Sequence, residues 1–249
     1  MMAYAWRWIR SLLFSIQMYF MMFVMALYYT PRAVLDRNYA FYGVQTYCRW
    51  VRWTASWMLG LRSEVRGKVP TDEVIIAAKH QSFFDIIMLV SVLPRPKFIM
   101  KAELRFAPIL GWYGMRIGCV PVKRGRRSEA MKKMVKDVAE GRAEPGQLIV
   151  YPQGTRVAID AYLPYKVGVS VLRSETGQTV VPAAANVGVF WPRRGIYRRP
   201  GLAVMEFLDP IPTQEAGGPD PETFLQELEV RVEKESKRLM ADAGFIAPH

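Results

Sequence analysis

His80 and Asp85 are the residues of this chain whose types and spacing point most directly to proton chemistry. An imidazole exchanges a proton near neutral pH, and a carboxylate beside it can fix its tautomer and stabilise the charged ring. The two stand in the stretch Lys79-His80-Gln81-Ser82-Phe83-Phe84-Asp85, between the apolar runs Val74-Ile75-Ile76-Ala77-Ala78 and Ile86-Ile87-Met88-Leu89-Val90. The first run has strand length and composition; the second, unbroken until Pro94, reads as helix. His80 is therefore expected on the turn from a buried strand into a helix, with Asp85 early in that helix and able to fold back to the ring. A His followed five residues later by an Asp also arises by chance, so the rest of the chain must supply the case.

The elements that would position this pair begin at Leu61. Strands are expected at residues 62–67, 74–79, 97–100, 117–122, 147–151, 179–187 and 201–208, and helices at 83–92, at 128–140 and from Asp220 to about Ala241. Ser128 and Gly141 suit the ends of the second helix; Pro221 suits the first position of the last, whose Phe224, Leu225, Leu228 and Val232 keep helical period. Such alternation implies an α/β domain with a mixed, largely parallel sheet covered by helices. Ligands in such sheets collect beyond the carboxyl ends of strands, where His80 lies. Lys101 follows the strand Phe98-Ile99-Met100, and Gly118-Cys119-Val120-Pro121-Val122 runs into Lys123 and Arg124. Leu148-Ile149-Val150 leads into Tyr151-Pro152-Gln153-Gly154-Thr155-Arg156, where Pro and Gly force a tight turn. The small residues Val181-Pro182-Ala183-Ala184-Ala185 would let a substrate approach the backbone. Cations at three equivalent strand ends, Lys101, Arg124 and Arg156, suit an anionic, phosphorylated substrate.

Ahead of this domain (residues 61–249) lies a different segment, residues 1–60. Residues 11–29, SLLFSIQMYFMMFVMALYY, carry no charge and as a helix would reach roughly 28 Å, the thickness of a bilayer's hydrocarbon core. Trp6, Trp8, Tyr28 and Tyr29 flank them, with Arg7, Arg10 and Arg32 beyond. The stretch is too long, and its end too bulky, for a cleaved signal peptide. Residues 39–60 follow as an amphipathic stretch, with Arg49 and Arg52 on one face and Trp50, Trp53 and Trp57 on a neighbouring one. Together they read as a membrane-associated helical hairpin whose first arm either spans the bilayer or lies in it; a tryptophan stripe packed into a core is the alternative. The formal charge of +12, with eight arginines against Asp36 and Glu64 in residues 1–66, favours anionic partners such as a phospholipid surface. Cys48 and Cys119 lack metal-ligand spacing, and a reducing compartment suits them better than a disulfide. Neither cysteine nor any G-x-S-x-G elbow offers a covalent nucleophile. The basic stretch Phe190–Arg199, with Arg193, Arg194, Arg198 and Arg199 among aromatics, suits headgroups or an acidic carrier protein better than nucleic acid, which is not expected as a partner.

In order, His80…Asp85, Gly118…Arg124, Tyr151-Pro-Gln-Gly-Thr-Arg156 and Val181-Pro182 resemble the four sequence blocks of the glycerolipid acyltransferases, most closely the bacterial 1-acylglycerol-3-phosphate acyltransferases. The resemblance covers roughly residues 62–210, and the order of four blocks is far more specific than any one. It implies that His80 is the general base and Asp85 its orienting partner. It implies also that Lys101, Arg124 and Arg156, with Gln153, Gly154 and Thr155 of the third block, bind a lysophospholipid acceptor. The donor would be a fatty acyl thioester, acyl-coenzyme A or acyl carrier protein, with no tightly bound cofactor and no metal. The enzyme would sit on the inner membrane with its catalytic domain on the cytoplasmic side. The chain departs from the family where Gln153 replaces the usual Glu: an amide binds a hydroxyl but cannot act as a base. Another lyso-lipid, including a lyso-aminolipid, is the alternative acceptor, and a non-catalytic binder of anionic lipid the alternative of a different class.

Overall fold

The computed structural model describes residues 2–122 and 145–245. Two long helices come first, α1 (Met2–Leu35) and α2 (Arg37–Leu59), lying against one another as a hairpin. Asp36 turns the chain between them and caps α2, accepting from the Asn38 amide at 2.9 Å. Gly60 ends α2 in the left-handed region, at φ 68°, where its amide reaches back to the Ala55 carbonyl. Pro31 does not end the first arm, and α1 runs on to Leu35. The reason lies elsewhere in the fold. Arg116 donates to the carbonyls of Ala33 and Val34 at 2.9 and 3.0 Å, satisfying acceptors that a helix end leaves open. Ala33 itself is packed among Ala26, Ala40, Phe41 and Tyr113.

Outward, α1 shows Leu13, Ile16, Phe20, Phe23 and Leu27, and from about Tyr4 it is long and apolar enough to cross a membrane. Inward, Phe14 and Met18 join the core formed with α2 and the sheet. Trp53 and Trp57 of α2 are exposed, at 62% and 59%, while Trp50 is half-buried. The tryptophans are therefore not a core stripe.

Among the described residues one mixed sheet of seven strands follows: β1 (Leu61–Arg66), β2 (Ile75–Ala78), β3 (Pro96–Lys101), β4 (Val120–Val122), β5 (Gln147–Val150), β6 (Val180–Ala185) and β7 (Gly201–Phe207). Their order is β1-β7-β6-β2-β5-β3-β4. β6, β2, β5, β3 and β4 run parallel; β7 pairs antiparallel with β6, and β1 runs with β7. Central strands β2, β5 and β6 are buried at every residue, as a sheet covered on both faces requires. On one face Ile76 and Ala78 meet α2 and α3 (Phe84–Val92); on the other, Ile75 and Ala77 pack with Val169, Leu172, Phe224, Leu228 and Val232. The latter belong to α5 (Gly168–Thr176) and α6 (Pro221–Asp242), which follow α4 (Leu110–Arg116) in the chain. Asp220 caps α6 ahead of Pro221, as expected.

α4 and α5 were not expected from the sequence, and two expected strands, 117–122 and 179–187, are each three residues shorter, the second being extended only over Val180–Ala185. Residues 117–119 turn out of α4 and only Val120–Val122 are extended. The helix expected at 128–140, and Arg124 with it, lie outside the described residues.

Candidate active site

β2 delivers His80 to the carboxyl edge of the sheet, and the start of α3 fixes the groups beside it. Ser82 Oγ accepts from the Phe84 amide at 3.1 Å, and Asp85 Oδ2 accepts from the Ser82 amide at 2.8 Å. Two amides that the start of α3 leaves open are thus satisfied by side chains, that of Phe84 by Ser82 and that of Ser82 by Asp85. The same Asp85 oxygen takes the Gln81 amide at 2.7 Å and lies 3.0 Å from His80 Nδ1. The spacing from His80 to Asp85 thus has a local cause: the carboxylate that closes the helix start is the one that reaches back two residues further to the ring.

Asp85 is fully buried, and two backbone amides pointing at one oxygen require it to be an acceptor. His80 Nδ1 must then carry the hydrogen and donate it, leaving the lone pair on Nε2. The His80 side chain is 12% exposed, so the edge of the ring reaches the surface. Tyr151, at the end of the neighbouring strand β5, stacks on the imidazole with centroids 3.8 Å apart and planes 15° from parallel. Its hydroxyl is buried without a hydrogen-bond partner, as is Asp85 Oδ1. Burial, and secondarily the Asp85 carboxylate, push the phenol well above its usual range. Nothing in the sequence flagged Tyr151 as a support for His80. The signal existed only in the adjacency of β2 and β5.

The turn after β5 is set by Pro152 and Gly154. Gly154 bonds back to the Tyr151 carbonyl at 2.8 Å and stands at φ 72°, a conformation open to glycine. The chain then passes beside His80, where the Val157 amide donates to the His80 carbonyl at 2.8 Å. Thr155 is exposed and Arg156 half-exposed, with one Arg156 nitrogen on the Arg193 carbonyl at 3.1 Å. Gln153 is turned inward: it is buried, and its amide donates to the Leu163 carbonyl at 3.0 Å, pinning the loop. Lys101 is exposed at the end of β3, two strands from β2 on the same edge. Strand spacing puts them about 10 Å apart across the sheet.

Lys79, next to the base, is buried and held by Glu233 of α6 at 2.6 and 2.8 Å. Gln81, on the other side, accepts from the Gly188 amide at 3.0 Å. Both neighbours of His80 are thus anchored to elements distant in the chain. The basic segment behaves differently from the expectation of four arginines meeting a partner: Arg198 is buried, donates to the carbonyls of Gly195 and Ile196, and lies over the Trp191 ring at 4.3 Å. Arg193, Arg194 and Arg199 are exposed. Among the described residues no cluster of His, Cys, Asp and Glu is suited to a metal.

Residues 62–186, half of the chain, match the Acyltransferase family model. A 1-acyl-sn-glycerol-3-phosphate acyltransferase of Pseudomonas aeruginosa is 28% identical over 205 residues, spanning 82% of this chain and 78% of that protein. An uncharacterised acyltransferase of Schizosaccharomyces pombe is 30% identical over 191 residues, 71% of this chain and 68% of its own length. The crystal structure of a 1-acyl-sn-glycerophosphate acyltransferase from Thermotoga maritima shares the fold, with a TM-score of 0.75 at 23% identity over 94% of this chain and 99% of that one. The matched residues run from β1 through β6 and enclose both the His80 turn and the Tyr151–Arg156 loop, and the chain belongs to the acyltransferase family.

Proposed function

We propose that this acyltransferase moves a fatty acyl chain from a thioester donor, acyl-coenzyme A or acyl carrier protein, to the sn-2 hydroxyl of 1-acyl-sn-glycerol-3-phosphate, giving phosphatidic acid. The acceptor is taken from the names of the relatives in Pseudomonas aeruginosa and in Saccharomyces cerevisiae, the latter 30% identical over 164 residues. The observation that carries the mechanism is the His80–Asp85 contact at 3.0 Å, with Asp85 already an acceptor for two amides. Nε2 is left free to take the hydroxyl proton as the oxygen attacks the thioester carbonyl. The new C–O bond forms, the imidazolium is stabilised by Asp85, and collapse of the tetrahedral adduct breaks the C–S bond. The proton on His80 then goes to the departing sulfur. Lys101 and Arg156, with Arg124, would hold the acceptor phosphate. Gln153 would act through the loop it pins, which presents Gly154, Thr155 and Arg156.

In this reading residues 1–60 attach the enzyme to an anionic phospholipid membrane and residues 61–249 perform the transfer, on the cytoplasmic side of the inner membrane. The test is a donor-by-acceptor matrix on detergent-purified protein, following thiol release. Release that requires lysophosphatidic acid is expected. Release that requires a lyso-aminolipid instead would replace the acceptor, and no acceptor-dependent release with either donor would favour a non-catalytic lipid binder.

A further inference from the structure

A second cationic site lies between α2 and β1. A cleft of about 280 Å³ is lined by Arg49, Arg52, Trp53, Ser56, Arg62 and Ser63, with no acidic side chain among them. Arg52 is half-buried, yet its partners are all neutral: Ser63 Oγ at 2.8 Å, Ser91 Oγ at 2.8 Å and the Ser63 carbonyl at 3.1 Å. A guanidinium has five N–H donors, so two remain uncommitted. Burial lowers its affinity for its proton, which an anion alongside would reverse. Arg49 and Arg62 are exposed and make no ion pair among the described residues; the nearby acid Glu64 is engaged by Arg66 at 3.0 Å. The site is separate from the catalytic edge: Ser91 stands in the last turn of α3, roughly 10 Å along the helix from Phe84.

The surroundings of the cleft indicate which anion it suits. Trp53 forms part of its wall and is mostly exposed, and its indole lies 5.9 Å from that of Trp57, also exposed. α1 runs alongside, with Arg10 reaching the Trp57 carbonyl at 3.2 Å, and carries the outward apolar face of Leu13, Ile16 and Phe20. Indoles at the margin of an apolar surface mark headgroup depth in a bilayer. We infer that the α2–β1 cleft is a binding site for the phosphate of an anionic membrane phospholipid, gripped by Arg49, Arg52 and Arg62 with the Ser56 and Ser63 hydroxyls. This rests on the membrane attachment proposed above. It goes further in assigning one defined headgroup site in place of diffuse attraction.

The experiment compares full-length wild type, R49Q/R62Q and a control pair, R7Q/R32Q, for sedimentation with phosphatidylglycerol and with phosphatidylcholine vesicles. An arginine near an anionic surface contributes about fivefold in partitioning. Diffuse charge alone would cost either pair up to about 25-fold on phosphatidylglycerol; R49Q/R62Q is expected to lose well beyond that and beyond the control pair, and to bind phosphatidylcholine as wild type does. Equal losses in the two pairs would mean diffuse charge and would overturn the site. If wild type bound neither vesicle, the membrane attachment itself would fall, and the site with it. In detergent, short-chain phosphatidylglycerol is expected to change tryptophan fluorescence saturably in wild type and not in R49Q/R62Q. An equal response to inorganic phosphate would make this a free-phosphate site and refute the lipid assignment.

Discussion

Removing the Asp85 carboxylate should damage the fold as well as the chemistry, and removing His80 should damage the chemistry far more than the fold. In Asp85→Ala the amides of Gln81 and Ser82, both in buried residues, lose their acceptor. Each stranded donor costs about 1–3 kcal/mol. Relief of the buried carboxylate's own desolvation offsets part of this, so the lower end, about 2 kcal/mol in total, is the expected loss. For a chain of this size that lowers the melting temperature by about 4–8 °C. His80→Ala removes a ring that is stacked on Tyr151 but strands no amide, because Asp85 keeps both. Its cost is about 1 kcal/mol. Asp85→Asn sits between: an amide oxygen still serves the two backbone donors, so stability is largely kept. The charge that stabilises the imidazolium is gone, worth about 1.5–3 kcal/mol, or about tenfold to 150-fold in rate. The assay pairs thermal unfolding in detergent with acyl-transfer rates for the three variants. An Asp85→Ala protein that melts at or above His80→Ala, or an Asp85→Asn protein that transfers acyl groups at the wild-type rate, would refute these roles for Asp85.

Other consequences come from the surroundings of the pair. Lys79→Met leaves Glu233 without its buried partner and should cost about 3 kcal/mol, most of it regained in Lys79→Met/Glu233→Gln; thermal unfolding of the single and double variants checks this. Tyr151→Phe removes a hydroxyl that has no hydrogen-bond partner while keeping the ring on His80. It is expected to be neutral to slightly stabilising, by up to about 1 kcal/mol, with activity within a few-fold, whereas Tyr151→Ala should lose activity. Burial pushes the Cys119 thiol from 9.0 up to about 11, with the Phe98 backbone pulling weakly the other way. Below the ordinary thiol value both states hold the proton and there is no effect. As pH rises from there toward 11 the unfolded thiol ionises first, so stability should fall across that window. Iodoacetamide at pH 8 should accordingly leave Cys119 unmodified in the folded protein and label it on unfolding.

The sequence was most informative where local and global signals agreed. β2, α3 and the turn between them were legible because a buried strand, a capping pair and an apolar helix occupy adjacent residues. The last helix was legible from Asp220, Pro221 and its apolar period. Elements held by distant contacts were not. α4 contains Gly111 and Gly114, poor helix formers, and is secured by Arg116 on the end of α1 and by Tyr113 against Thr30. α5, rich in β-branched and small polar residues, depends on buried Arg173, which donates to the carbonyls of Pro212 and Pro219. Within the site, His80, Asp85 and the Tyr151–Arg156 turn could be read from their own stretches. The inward turn of Gln153 and the stacking of Tyr151 could not, since both are set by which strands and loops lie side by side. Pro31 stays inside α1 for the same reason: its local preference to end a helix yields to caps supplied about 80 residues later, by the two Arg116 hydrogen bonds.

The central claim is that His80 takes the proton of a lyso-lipid hydroxyl. It is tested most directly by thiol release from the acyl thioester with lysophosphatidic acid present and absent, in wild type and in folded, membrane-competent His80→Ala. Acceptor-dependent release by wild type is expected, with a fall of about a hundredfold or more in the variant. A variant that turns over at close to the wild-type rate would contradict the assignment.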